Sequence, residues 1–352
     1  MKLLHVVGAR PNFPKLAPVH RAGVARGVSQ VVLHTGQHYD AAMSHSFFES
    51  LGIPAPDINL AVGSGSHAQQ TARIMERIEP ELVRERPDWV VVYGDVNSTL
   101  AAAVVAAKLR LRVAHVEAGL RSGDRTMPEE INRLVTDRLA SLLLTPSRDA
   151  DARLRGEGEE SGKIVFVGNV MIDTLQYTLR KEGLRVARDA PDGAPVIVTL
   201  HRPSNVDDGP RLEAIMGALR EVAARHEVIF PVHPRTRARC VEFGIDTGAI
   251  RLDEPVPYER MLSLVVGARA VITDSGGLQE ETTALGVPCF TLRDNTERPI
   301  TITEGTNQLV RDPSSLPALI DAAPTRRGTH VPEGWEGAAG ERVIEALLRV
   351  GA

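Results

Sequence analysis

Short apolar runs rich in β-branched residues alternate with amphipathic helical stretches from one end of this chain to the other. That alternation is the signature of parallel sheets whose strands are joined by crossover helices, an α/β fold. In the first half the candidate strands are Leu3–Val7, Val31–Thr35, Trp89–Tyr93, Val113–Val116, Leu142–Thr145 and Ile164–Val167. Between them lie Ser66–Arg86, closed by Pro87, and the alanine-rich Ser98–Leu109, both read as helices. A second series runs through Val196–Leu200, Val228–Phe230, Ile250–Leu252, Val271–Thr273 and Phe290–Leu292, with helices such as Arg211–Arg225 between. Two similar doubly wound halves are expected: residues 1–168, joined by a last amphipathic helix at 341–352, and residues 169–340.

Composition narrows the function classes. The 352 residues exceed the usual single-domain size. With a net charge of −4 and no polybasic segment, the chain has no electrostatic footprint for nucleic acid or a membrane surface. Aromatic residues, at 4%, are too few for a base-stacking platform. Cys240 and Cys289 cannot build a disulfide framework, and the start MKLLHVVGARP is too short an apolar run for a signal peptide, so a cytoplasmic protein is expected. The eleven histidines show no metal-ligand spacing, and no metal is expected.

The stretch from His115 to Arg133, HVEAGLRSGDRTMPEEINR, carries the densest chemistry. Glu117 follows an apolar strand, and in parallel sheets ligands gather beyond the carboxyl ends of strands. Pro128 suits a first helical turn. Glu129 and Arg133, four residues apart, share a face and can address one ligand or pair with each other, although acids in a first turn also serve simply to meet the helix dipole. Asp95, after Trp89–Tyr93, is either a turn or cap aspartate or the counterpart of Glu117 on a neighbouring βα unit. Strands ~5 Å apart would open both carboxylates into one crevice, and crowding them would keep one protonated and one ionised.

Phosphate-binding candidates stand in both halves. Asp274-Ser275-Gly276-Gly277 lies between a strand and the helix Leu278–Leu285, where glycines let a phosphate reach backbone N–H groups, unless it is a plain capped turn. Gly8-Ala9-Arg10-Pro11 with Lys15 repeats the arrangement after the first strand, and the two together suggest a diphosphate held between domains. His201, after Val196–Leu200, either bonds a leaving phosphate or bonds backbone, and His233 reads as structural. Gly63-Ser64-Gly65-Ser66-His67-Ala68 fits a dinucleotide fingerprint, but Asp57–Val62 makes a poor strand and the fingerprint belongs on the first βα turn. A turn into the Ser66 helix is expected instead.

In order along the chain, Gly8-Ala9-Arg10-Pro11, Gly94-Asp95, HVEAGLRSGD, Pro128-Glu129-Glu130-Ile131-Asn132-Arg133, Thr199-Leu200-His201-Arg202, DSGGLQEE (274–281) and RDNTERP (293–299) resemble the motifs of the non-hydrolysing UDP-N-acetylglucosamine 2-epimerases. The resemblance spans residues 8 to 310. It implies two Rossmann-like domains facing across a cleft, the glycosyltransferase-B architecture, with UDP bound by the second. It also implies a homodimer in the bacterial cytoplasm that interconverts UDP-N-acetylglucosamine and UDP-N-acetylmannosamine without a cofactor. Catalytic roles are carried onto Asp95, Glu117, Glu129 and His201. Substrate contacts are carried onto Arg10, Lys15, Arg133, Ser275, Gly276, Gly277, Glu281 and Arg298, with Glu281 on the ribose hydroxyls and the uracil at Glu254-Pro255-Val256 and Met261. Pro203-Ser204 stands where many relatives carry arginine or glutamate. Gln37-His38 fits the family's regulatory region, but Gly63–Gln70 lacks the glutamine–arginine pattern of substrate-activated members, which argues against activation by substrate.

The chemistry implied by the resemblance is elimination and re-addition. No carbonyl acidifies C2 of an acetal sugar, so loss of UDP from C1 as the C2 proton departs gives a neutral 2-acetamidoglucal, to which UDP returns after protonation on the other face. The rival readings are an epimerase of UDP-2,3-diacetamido uronic acids, a same-fold glycosyltransferase and a nucleotide-sugar sensor without turnover.

Overall fold

A computed structural model describes residues 1–37, 48, 51–328 and 330–351. The chain forms two compact units, residues 1–176 with 333–352, and residues 177–332. The first unit therefore runs past Gly168 into the Val170–Lys181 helix, and it takes the chain back at Glu333, ahead of the last helix.

In the first unit, strands β1 (Lys2–Val7), β2 (Ser29–His34), β3 (Ile58–Asn59), β4 (Trp89–Tyr93), β5 (Arg112–Val116), β6 (Leu142–Thr145) and β7 (Ile164–Phe166) form one sheet in the order 3-2-1-4-5-6-7. Each neighbouring pair is parallel. β4 is apolar and buried at every position, so both of its faces need cover. Trp89, Val91 and Tyr93 share a core with Leu16 and Val19 of the Phe13–Ala25 helix and with Val343 and Leu347 of the Ala339–Gly351 helix. Val90 and Val92 point the other way, into a core with Ile74 and Ile78 of His67–Glu85 and Ala102 and Ala106 of Asn97–Lys108.

The second unit repeats the plan. Strands β8 (Val196–Thr199), β9 (Val228–Pro231), β10 (Arg251–Asp253), β11 (Ala270–Thr273), β12 (Cys289–Thr291) and β13 (Asn307–Leu309) lie in the order 10-9-8-11-12-13. All are parallel. Leu212 and Met216 of the Gly209–Ala223 helix and Leu316 and Ile320 of Leu316–Ala322 close a core over Val198, Phe230 and Ile272.

Each sheet thus has a switch point where its strand order reverses, at β1/β4 in the first and β8/β11 in the second, and ligands of open α/β sheets bind beyond the strand ends there. The strands absent from the sequence reading, β3 and β13, are sheet-edge strands of two and three residues with too little apolar character to register. Ser66 opens the His67–Glu85 helix with a capping box, its Oγ accepting from the Gln69 N–H at 3.3 Å and the Gln69 side chain accepting from the Ser66 N–H at 3.3 Å, so the glycine pair at 63 and 65 is a turn into a helix. No described helix is long and apolar enough to cross a membrane. His38 lies outside the described residues, and Gln37 alone of that pair is placed.

Candidate active site

Beside the first switch point, Tyr93 of β4 pairs in register with Val116 of β5, so Asp95 and Glu117 leave adjacent strands side by side. Glu117 is buried and takes a left-handed backbone, φ 74°, which a non-glycine residue holds only under constraint. The constraint is visible: the Glu117 and Ala118 amides both donate to the Leu144 carbonyl on β6, at 3.0 and 3.1 Å. Lys15, buried on the Phe13–Ala25 helix, forms a close ion pair with the Glu117 carboxylate. Gly94 has φ 61°, and a Cβ there would stand 2.6 Å from the Lys15 Nζ and 3.1 Å from the Glu117 Oε2. Glycine is what lets this ion pair lie against the turn that carries Asp95.

Asp95 receives Arg133 of the Pro128–Leu139 helix, from Nε at 3.0 Å and from the terminal nitrogen at 2.5 Å. Arg133 also reaches Glu130 at 2.7 Å, and Glu130 accepts from the amides of Ser122 and Gly123 at 2.9 and 3.0 Å. Burial would raise the Glu130 carboxyl, but the Ser122, Arg133 and Gly123 donors outweigh it and hold the group below its ordinary range. The arginine that could have met Glu129 is thus turned to Asp95 and Glu130. Glu129 itself is half-buried and, with Asp95, Asn97, His67 and Gln70, lines a cavity of about 410 Å³ in this unit.

The first-strand turn differs from its sequence reading. The Gly8 and Ala9 amides donate to the Asn12 Oδ1 at 3.0 and 3.2 Å, so they are not open to a phosphate, and Lys15 is committed to Glu117. What the turn presents to solvent is the Arg10 side chain.

At the second switch point, Asp274 is fully buried and organises the loop after β8. It accepts from the amides of His201 and Arg202, the latter at 2.9 Å, from Asn205 Nδ2 at 3.2 Å, and lies 3.0 Å from His201 Nδ1. Burial pushes its carboxyl upward, yet the His201 contact and these donors prevail and keep it low. His201 stays exposed, its ring fixed by the carboxylate behind it. His233 accepts from the Arg235 amide at 3.2 Å as the cap of the Pro234–Glu242 helix, a structural role.

Ser275, Gly276 and Gly277 open the Gly276–Leu285 helix, whose first amides have no intrahelical partner and face the positive dipole end. A Cβ on Gly276 would meet the Arg298 guanidinium at 2.7 Å. Arg298 is itself held by Glu280 at 2.9 Å and Glu297 at 2.7 Å. On the same helix Glu281 is buried and accepts from the Tyr258 hydroxyl at 2.9 Å. Burial raises the Glu281 carboxyl to about 7. Val256 and Met261, both half-buried, flank Tyr258 where the chain enters the Tyr258–Gly267 helix.

The sequence motifs included Asp274, Glu130 and Asn132 without giving them a role of their own, and Tyr258 was not singled out; Asn132 Nδ2 donates to the Asp95 carbonyl at 2.8 Å. Asp274 had a usable signal, since it stands beyond β11 as Asp95 stands beyond β4. Tyr258 and Asn132 had none, because their importance lies in contacts with residues far along the chain.

Comparison with known proteins gives a consistent result. A sequence model of the UDP-N-acetylglucosamine 2-epimerase family matches residues 22–348. The UDP-N-acetylglucosamine 2-epimerase of Methanocaldococcus jannaschii is 42% identical over 99% of each chain. The crystal structure of that organism's UDP-GlcNAc 2-epimerase in complex with UDP-GlcNAc and UDP superposes with a TM-score of 0.89 at 41% identity, covering 99% of this chain and 100% of the other. The UDP-2,3-diacetamido-2,3-dideoxy-D-glucuronate 2-epimerase of Pseudomonas aeruginosa is 40% identical over 99% of this chain and 100% of its own length.

Proposed function

The chain belongs to the UDP-N-acetylglucosamine 2-epimerase family of isomerases, and from that premise we propose that it interconverts UDP-N-acetylglucosamine and UDP-N-acetylmannosamine by elimination and re-addition of UDP. A carboxylate takes the C2 proton, the C2–H pair becomes the C1–C2 double bond, and UDP leaves with the electrons of the C1–O bond. Protonation of the 2-acetamidoglucal on its other face and return of UDP complete the inversion. Asp95, Glu117 and Glu129 are the acid–base set. His201 and the first-turn amides at Gly276 and Gly277 stabilise the departing diphosphate, Arg10 and Arg298 assist, and Glu281 holds the ribose. In this reading the Lys15 ammonium acts on Glu117 rather than on phosphate. The active species is a homodimer acting in the cytoplasm.

The observation that carries the proposal is the placement of Asp95 and Glu117 beyond the adjacent strands β4 and β5, beside the first switch point, with Glu129 on the Asp95 cavity. The P. aeruginosa relative favours a second substrate, a UDP-diacetamido uronate. The described residues lining the cavity include two carboxylates and no lysine or arginine, which suits a neutral sugar better than an anionic one. Incubation in heavy water tests both. Deuterium at C2 of UDP-N-acetylglucosamine supports the proposal, exchange only into the uronate favours the alternative, and sugar transfer to an acceptor without exchange ends both. Asp95→Asn, Glu117→Gln and Glu129→Gln should each lower kcat by about a hundredfold or more, with UDP affinity little changed.

A further inference from the structure

Behind the two strand ends lies a buried charged group to which the reaction scheme assigns no part. His115, on β5 and fully buried, places Nδ1 2.6 Å from Asp137 Oδ1 and Nε2 2.8 Å from the Gly94 carbonyl. A carbonyl only accepts, so Nε2 carries a hydrogen. Asp137 also receives the Gly119 amide at 3.1 Å and the Arg121 guanidinium at 2.7 Å, and Arg121 is gripped from its other side by Glu157 at 2.8 and 3.0 Å. Burial would raise the Asp137 carboxyl, but His115 and Arg121 outweigh that and hold it below its ordinary range. Both ring nitrogens of His115 are therefore held, one on the Asp137 carboxylate and one on the Gly94 carbonyl.

The partners of this group are the turns that carry the reacting acids. Gly94 precedes Asp95, and its amide also donates to the Val116 carbonyl at 3.1 Å. Gly119, two residues after Glu117, gives its amide to Asp137. We propose that His115 is a positioning residue: anchored on Asp137, which Arg121 holds in turn, it clamps the Gly94-Asp95 turn to the Glu117–Gly119 turn and so sets the separation of the two carboxylates. The inference rests on the reading of Asp95 and Glu117 as acid–base groups. A buried pair of this kind adds little net stability over an apolar replacement, so its presence asks for another reason, and fixing reactive groups is one. Displacement of a reacting group by about 1 Å costs on the order of a hundredfold in rate.

Two substitutions separate positioning from bulk packing. Glutamine places its amide nitrogen where Nε2 stands and can still donate to Gly94, whereas asparagine reaches only the Nδ1 position and keeps the Asp137 contact alone. His115→Asn should lose about a hundredfold in kcat with KM for UDP-N-acetylglucosamine changed by less than about threefold, and His115→Gln should recover most of that loss. Equal rates in the two variants overturn the proposal. Histidine ¹⁵N chemical shifts of the unmodified protein provide a measurement independent of any variant: a hydrogen on Nε2 of His115 is expected, and an Nε2 without one overturns the clamp on Gly94. Loss of turnover in Asp95→Asn and Glu117→Gln beside indifferent His115 variants sinks this inference and leaves the acid–base reading standing. Normal turnover in those carboxylate variants removes the acid–base reading itself.

Discussion

Lys15 and Glu117 are the pair on which the first half-site turns, an ammonium and a carboxylate both withdrawn from water and in close contact. Removing one member takes the counter-charge from the other, so Lys15→Met should cost about 3–5 kcal/mol in stability, and adding Glu117→Gln should return much of it. Urea denaturation of the two single variants and the double variant measures this; additive losses would show that the pair is not coupled. Glu281 gives a second test by pH. Its folded value, about 7, lies above its ordinary 4.5, so between these values the native state holds a proton that the unfolded chain has released. Its contribution to stability is complete below pH 4.5 and is lost as the pH rises through about 7. Urea melts at about pH 5 and about pH 8 should therefore fall further apart in the unmodified protein than in Glu281→Gln. The ionised form is also the better acceptor for ribose hydroxyls, so UDP should bind more tightly as the pH passes about 7, and this trend should vanish in Glu281→Gln.

Among the elements, the Ala339–Gly351 helix shows how a terminal segment becomes part of a core. Val343, Ile344 and Leu347 recur at helical spacing, are fully buried, and pack with Leu16 and Val19 over the sheet that presents Asp95 and Glu117. Leu347→Ala leaves a cavity where the surroundings relax only partly, and a loss of about 2–5 kcal/mol is expected in the unfolding transition of the first unit. A loss much below that range would mean that this helix is not integral to the core. The periodicity of the helix was legible in the chain, as were eleven of the thirteen strands among the described residues, because both rest on local spacing. β3 and β13 were not, since Ile58-Asn59 and Asn307-Gln308-Leu309 make no apolar run and pair only because a neighbour supplies the ladder.

At the scale of the molecule, the same doubly wound plan occurs twice, each copy with its own core and its own reversal of strand order. If the nucleotide is held as proposed, UDP alone should slow amide hydrogen exchange at Gly276 and Gly277, while leaving the Gly8 and Ala9 amides, already bonded to Asn12, unchanged. Protection at Gly8 and Ala9 without protection at Gly276 would place the diphosphate on the wrong sheet. The chain by itself determined the layered α/β class and the residues that stand at strand ends, because hydrophobic spacing and turn residues act over a few positions. Which of those residues meet was decided only by the tertiary structure. Lys15 and Glu117 are 102 positions apart and Asp274 and His201 are 73 apart, and the same strand ends under another sheet order would have carried the same residues to different neighbours.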